Sequence, residues 1–445
     1  MMLATNPAPA LAPEPAVDSL AAALFDTLRV KIHVGADVLD RVTSYILTEK
    51  RADLPSFNAT PAEQERFHWL VGQVVAELNI HVLGRTQPEV IQETVELLTG
   101  VGIAQQWIDA PDAMRIEEII VREGARGMAH VQLEIDGRIV DLGDLCPIAH
   151  FTHMMRRAAD NAGQTIKADS PLTVVTLPGG HRLTAIVPPL ATTSLSLNIR
   201  KFNRRPFALA DLVTNGTLDA APAEFLQQVV AENAASILIA GNSGTGKTTL
   251  LNALSLYVPD TLQLAIAETF EELRPKHPYP LRTVAPSELT AREVEMGRKS
   301  LRDVVNTIYT RMRPDLIFVG EVVSGESVEY LRAITMGCRA WTTIHGDSVV
   351  GGLQALQTLA TQYGGIAPAL AREMIARCVN LVVHTDRDRD GRRIITELTI
   401  VDGMNAAGDY RLDVLYRHPR AATRRSERLT ALWRGATTRA EEPQP

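Results

Sequence analysis

Residues Gly241–Leu250 read GNSGTGKTTL and fill every specified position of a G-x-x-x-x-G-K-[ST] phosphate loop. The run follows the apolar stretch Ser236–Ala240 and leads into a helical stretch, Thr248–Tyr257. A strand, a glycine-rich turn and a helix N-terminus in that order aim several backbone N–H groups and the positive end of a helix at one place, which is what a polyphosphate requires. Gly241, Gly244 and Gly246 let the loop close tightly, and Asn242, Ser243 and Thr245 complete it. Lys247 is expected to reach the β- and γ-phosphates of a nucleoside triphosphate, and the Thr248 hydroxyl to coordinate Mg²⁺; Thr249 packs.

A second element lies about 75 residues downstream, Arg311-Met-Arg-Pro-Asp315 followed by Leu316-Ile-Phe-Val-Gly-Glu321. An apolar strand ending in an acid is what a nucleotide hydrolase needs to hold water and Mg²⁺ beside the γ-phosphate, and Glu321 is that acid, meeting the metal directly or through water. The helix expected over Ser300–Met312 opens with a Ser300-x-x-Asp303 cap and runs into Pro314. Arg311 and Arg313 therefore fall near its C-terminal end, where they either serve the site or complement the helix dipole. The third element, Gly337–Ser348, is a short apolar strand that delivers His345 at its end.

The chain around these motifs has 445 residues, a net charge of -7 and 45% hydrophobic content, which implies two to three domains with ordinary cores. The acidic balance disfavours a nucleic-acid binder, because counterion release needs a basic surface. No apolar run of about 18 residues is present, so no membrane span is expected. The proline-broken start lacks a basic n-region and reads as a disordered leader over 1–17, not a signal peptide, so a cytoplasmic location is expected. Cys146, Cys338 and Cys378 lie far apart without metal spacing and read as buried small residues of a reducing compartment.

Patterning divides the rest. Residues 18–85 read as helical, with Thr60-Pro-Ala-Glu63 as a capping box carrying proline at the first helical position. Residues 86–203 shift to alternation, with a hairpin over Val131–Ile135 and Arg138–Val140 turning at Asp136-Gly137, and a second pair over Thr173–Leu177 and Arg182–Val187. An α+β domain is expected there. Residues 204–416 alternate strand-like runs with helices, the pattern of a doubly wound α/β core. The arginine-rich stretch 417–445 reads as a solvated tail.

Taken together, the phosphate loop, Met-Arg-Pro-Asp ahead of a Gly-Glu strand end, Gly325-Glu-Ser327 and Thr342-Thr-Ile-His345 resemble the secretion ATPase superfamily, which drives type II secretion, type IV secretion and type IV pilus machines. The likeness is greatest to the CpaF/TadA branch that powers Flp pili. It covers residues 86–416 and includes Asp169–Leu172, Leu177–Arg182, Ile186–Pro189 and Ser196–Phe202, which look like the family's pre-motor domain and its link to the motor. The resemblance implies a RecA-like phosphate-loop ATPase core behind a PAS-like α+β domain and a helical leader, assembled as a homohexameric ring that binds ATP and Mg²⁺. It puts Glu268, Glu271 and Glu272, in Ala267–Leu273, at the place of the acidic segment that orients water, with the usual spacing altered by one residue. Which of the three acts stays open. Val323 stands where the family commonly has arginine.

The resemblance further implies an arginine donated by a neighbouring subunit, with Arg182, Arg200, Arg311 and Arg313 as candidates among which the sequence does not choose. Domain closure around ATP would move an inner-membrane platform protein, the chain itself touching the membrane's inner face only through such partners. Three functional classes follow: a motor for pilus assembly or protein export, with the ATPase of a conjugative or type IV secretion apparatus as its neighbour; a nucleic-acid-translocating motor, disfavoured by charge; and a nucleotide-binding regulator that does not hydrolyse.

Overall fold

The computed structural model describes residues 36–419 apart from 51–53, 56–58, 83, 111–115, 136, 163, 165, 167, 169, 203–205, 288 and 290–293. The leader over 1–17, the first part of the helical region to residue 35, the tail from 420, Asp136 and Asp169 lie outside the described residues. The chain divides into two units, Met1–Phe202 and Asn203–Pro445.

In the first unit, helices α1 (Ala36–Glu49), α2 (Pro61–Glu77) and α3 (Gln87–Leu98) share a core of Val42, Ile46, Phe67, Val71, Val74, Val90 and Leu98. Helix α2 starts as its capping box dictates: the Thr60 hydroxyl accepts from Glu63 N–H, and the Glu63 carboxylate accepts from Thr60 N–H at 2.7 Å. Helical structure continues past residue 85 through α3, and among the described residues the first strand begins at Ile116. Strands β1 (Ile116–Glu123), β2 (Met128–Ile135) and β3 (Arg138–Pro147) precede helix α4 (Ile148–Asn161); β4 (Leu172–Thr176), β5 (Arg182–Ile186) and β6 (Ser196–Arg200) follow it. They form one antiparallel sheet in the order β3-β2-β1-β6-β5-β4. One face alternates Ile119, Val121, Val131, Leu133, Leu183, Leu197 and Ile199 against Phe151 and Met155 of α4, the period-two burial of a sheet covered on one side.

The second unit begins with α5 (Leu209–Thr214) and α6 (Ala220–Ala231), then β7 (Ile237–Gly241), α7 (Lys247–Ser255), β8 (Leu264–Glu268) and β9 (Leu281–Val284). It continues through α8 (Leu301–Thr307), β10 (Leu316–Val319), α9 (Glu326–Thr335), β11 (Arg339–His345), α10 (Val349–Gly364) and α11 (Pro368–Cys378). Strands β12 (Leu381–Arg387), β13 (Arg393–Met404) and β14 (Tyr410–Arg417) close it. The eight strands run β14-β13-β12-β7-β11-β10-β8-β9. The six from β12 to β9 are mutually parallel, as a doubly wound core requires. Strands β13 and β14 extend this sheet antiparallel, so the sheet is mixed. Only antiparallel neighbours can be joined by a turn as short as the one between Arg387 and Arg393.

Every residue of β7, β8 and β10 is buried because helices cover both faces. Leu238, Ala265, Ile317 and Ile344 pack with α8 to α11 on one side, while Ile239, Ile266, Phe318 and Trp341 pack with α5, α6 and α7 on the other. The expected helix Ser300–Met312 is shorter than its pattern suggests. Ser300 caps α8 and Asp303 returns the bond, but the α-helix stops at Thr307. A wider π turn, Ile308–Met312, follows, and Arg313 leaves it at φ 51°. Pro314 disfavours right-handed helical backbone at the residue before it, so the helix ends there. The three cysteines are buried and outside any disulfide.

Candidate functional site

The glycine-rich loop leaves the carboxyl end of β7, the edge of a parallel sheet where ligands bind in open α/β folds. Parallel pairing sets its walls: Gly241 lies opposite His345 on β11 and opposite Thr385 on β12. Gly244 and Gly246 hold φ of +70° and +95°, conformations that side chains other than glycine rarely adopt, and Gly246 caps α7. Gly241 is required by proximity, since a Cβ there would fall 2.4 Å from Thr385 Oγ1 and 2.6 Å from Thr245 Oγ1. Those two hydroxyls are themselves hydrogen-bonded at 2.9 Å. Asn242 and Ser243 are exposed at the start of the turn, and Thr248 and Thr249 sit half-buried in the first turn of α7.

Lys247 is 7% exposed, and its ammonium donates to Gly241 O and Asn242 O at 3.0 Å each. It also lies 3.4 Å from His345 Nδ1, while His345 Nε2 lies 3.1 Å from Glu321 Oε1. An ammonium can only donate, so Nδ1 is the acceptor and the imidazole proton sits on Nε2, facing the carboxylate. Three separate sequence motifs are thereby linked by two contacts. The loop carrying Glu321 is tied to β11, where the Thr343 hydroxyl donates to Gly320 O and Val322 N–H donates to Thr343 O, both at 2.9 Å. Glu326 of the Gly-Glu-Ser segment is fully buried and accepts from Val323 N–H and Ser324 N–H at 2.6 and 2.7 Å. At position 323 the backbone is therefore what the loop uses, and the valine side chain is 39% exposed.

The three acidic candidates separate by environment. Glu268 ends β8 next to Gly320, is 2% exposed, and accepts from Glu272 N–H at 2.9 Å and Leu273 N–H at 3.0 Å. Burial pushes its carboxyl up to about 7, against those two N–H groups and Arg282, which favour the ionised form. Glu271 is exposed and pairs with Arg274 at 3.0 Å and Arg282 at 3.5 Å; Glu272 is half-buried. The arginines fall into two groups. Arg182 on β5 lies directly opposite Arg200 on β6, within the first unit. Arg311 and Arg313 lie on the exposed exit of the π turn in the second.

Thr385, Arg387 and Arg393 border the phosphate loop and went unmarked in the sequence. Arg387 Nη2 donates to Gly244 O at 3.1 Å and Arg393 Nε donates to the same oxygen at 2.8 Å. The signal available was Asp390-Gly391 between two apolar runs, a hairpin turn that sets these arginines opposite one another.

Among the described residues no group of three or more His, Cys, Asp or Glu is arranged to hold a metal ion. The Thr248 hydroxyl and the Glu321 carboxylate are oxygen donors of the kind Mg²⁺ takes, one or two from protein beside several waters and substrate phosphates. Among the described residues no helix is long and apolar enough to cross a membrane.

The family model described as type II/IV secretion system protein matches residues 146–409. A putative conjugal transfer protein of Mycobacterium tuberculosis is 30% identical over 311 residues, which span 68% of this chain and 82% of the relative. Conjugal transfer protein TrbB of Rhizobium radiobacter is 29% identical over 287 residues, covering 60% and 82%. The solved structure of the Legionella pneumophila ATPase DotB aligns with a TM-score of 0.46 at 17% identity, covering 64% of this chain and 76% of that one.

Proposed function

The chain belongs to the type II/IV secretion system protein family, and we propose from that premise that it is a motor that hydrolyses ATP to drive assembly of a Flp or type IV-like pilus, or protein secretion. The observation that carries this reading is the contact path Lys247–His345–Glu321, which joins the phosphate loop to the acid at the end of β10. In it the loop N–H groups and Lys247 bind the phosphates, Glu321 orients and deprotonates the attacking water, and His345 relays the state of the loop to that acid. Mg²⁺, held by Thr248 and Glu321, would screen phosphate charge. Glu268 is the acidic-segment residue whose buried, poorly ionised carboxyl suits proton transfer near neutral pH, with Glu271 and Glu272 shaping the field around it.

The reading extends to a homohexameric ring in which one of Arg182, Arg200, Arg311 or Arg313 reaches a neighbour's nucleotide, and to a platform protein of the inner membrane as the moved partner. The proposed domain scheme is a helical region, a PAS-like domain up to residue 203 and a RecA-like motor over 204–416; the sequence-based boundary at 85/86 falls ahead of α3, which packs with α1 and α2. The ATPase of a conjugative or type IV secretion apparatus is the second reading, favoured by the names of the M. tuberculosis and R. radiobacter relatives. The Flp assignment rests on motif resemblance. Glu321→Gln tests the shared chemistry: the amide keeps the volume but neither accepts a proton nor anchors a cation, so fluorescent ATP should bind within about threefold of wild type while turnover falls by about 10² or more. Equal loss of binding and turnover would make Glu321 structural and remove the assignment.

A further inference from the structure

Strand β12 runs beside β7, so the chain beyond Thr385 passes directly over the phosphate loop and then turns back as β13. The turn is tied by Asp388, whose Oδ1 accepts from Asp390 N–H and Arg392 N–H at 2.9 Å each, and by Asp388 N–H donating to Arg392 O at 2.8 Å. This fixes Arg387 directly opposite Arg393. Residues directly opposite in an antiparallel pair project from the same face, and two like charges there are unfavourable unless something negative meets both. Here both guanidiniums converge on one carbonyl, Gly244 O, at 3.1 and 2.8 Å. They also lie close over the loop: a Cβ on Gly244 would be 3.3 Å from Arg387 Nη2, and one on Gly246 would be 3.6 Å from Arg393 Cδ.

A carbonyl and the N–H that follows it point in opposite directions across a trans peptide. Anchoring Gly244 O to the hairpin therefore turns Thr245 N–H away from the arginines, at the centre of the loop. Gly244, on the carbonyl side of that peptide, does not resist rotation by itself, since it is left-handed and lacks a side chain. We propose that Arg387 and Arg393 are positioning residues of the phosphate loop: the β12–β13 hairpin holds the Gly244–Thr245 peptide in the orientation that receives a nucleotide polyphosphate. The inference rests on the reading of residues 241–248 as a nucleotide site.

The test is titration of the full chain with N-methylanthraniloyl-ADP and, by competition, with a non-hydrolysable ATP analogue. Arg387→Ala/Arg393→Ala removes both anchors and should weaken both probes by the same factor, about tenfold, as expected for two charge-assisted hydrogen bonds acting through loop order. Arg393→Lys, which keeps the charge and one donor, should fall between wild type and Arg393→Ala. Arg389→Ala deletes an exposed arginine of the same turn and should bind within about twofold of wild type. If the double variant fails to fold, Arg387→Ala and Arg393→Ala singly decide, each expected to lose about threefold.

Binding at the wild-type level in the double variant, or in both single variants, overturns the inference. So does an equal loss in Arg389→Ala, which would reduce the effect to a general field, or a loss confined to the triphosphate analogue, which would mean direct contact with the γ-phosphate. A wild-type chain that binds neither probe removes the nucleotide reading itself, a different result from any of these.

Discussion

Glu268→Gln should change how the second unit responds to pH by an amount the structure sets. The Glu268 carboxyl is 2% exposed at the end of β8, and burial raises it from 4.5 to about 7. The charged groups facing it are Arg282 at 3.8 Å and, in the same turn, Glu271 and Glu272. Between these two values the folded chain keeps a proton that the unfolded chain has released. Folding therefore takes up a proton there, and stability present below pH 4.5 is lost as pH rises through 7. Raising the carboxyl from 4.5 to about 7 costs about 3 kcal/mol in all, of which about 2 kcal/mol falls between pH 5.5 and 8.

Glutamine keeps an acceptor for the Glu272 and Leu273 N–H groups and cannot titrate. Urea unfolding of nucleotide-free protein labelled with 5-fluorotryptophan can be read at Trp341, which stacks on Phe318 of β10 at 4.9 Å, next to β8. Wild type should lose about 2 kcal/mol relative to Glu268→Gln from pH 5.5 to 8. A difference that stays flat across that range, or that grows in favour of wild type, would refute the burial argument and with it the proton-transfer role.

Gly241→Ala should destabilise the second unit by about 1–3 kcal/mol and lower its melting temperature by several degrees, because the new methyl would meet both Thr385 Oγ1 and the Thr385 backbone oxygen, at 2.4 and 2.5 Å. An unchanged melting temperature would mean β12 is not held against the loop as described. Hydrolysis should rise per subunit with protein concentration until assembly is complete, and mixing Lys247→Ala subunits with subunits lacking the true arginine should restore part of the activity. Trying Arg182, Arg200, Arg311 and Arg313 in turn identifies that arginine, and constant activity per subunit from monomer to assembly would exclude a shared site.

The parts of the site that the sequence made legible are those carried by local residue types. Gly241–Thr248, the strand into Glu321 and the strand into His345 each announce themselves within about ten residues, and the capping boxes at Thr60 and Ser300 are equally local. What was hidden depends on strand order. His345 and Thr385 flank Gly241 only because β11 and β12 lie on either side of β7, and no local pattern encodes that adjacency. The same order brings the Arg387–Arg393 pair over the loop. Glu268, Glu271 and Glu272 looked equivalent as letters, and only the end of β8 against Gly320 distinguishes one as buried. The helix before β10 is shorter than expected because its apolar pattern runs past Thr307 while the backbone widens into the π turn Ile308–Met312, a change no local residue type marks.

Most direct of all is steady-state phosphate release from ATP by the purified full chain with Mg²⁺, wild type beside Lys247→Ala. The Lys247 ammonium is the cation that the loop buries and that touches His345 on the way to Glu321. Its removal leaves the phosphate charge without that partner. Wild type should release phosphate catalytically, and Lys247→Ala should fall to background with weakened nucleotide binding. Turnover by Lys247→Ala within a few fold of wild type, or a wild-type chain that binds ATP in its assembled form and never hydrolyses it, would contradict the account.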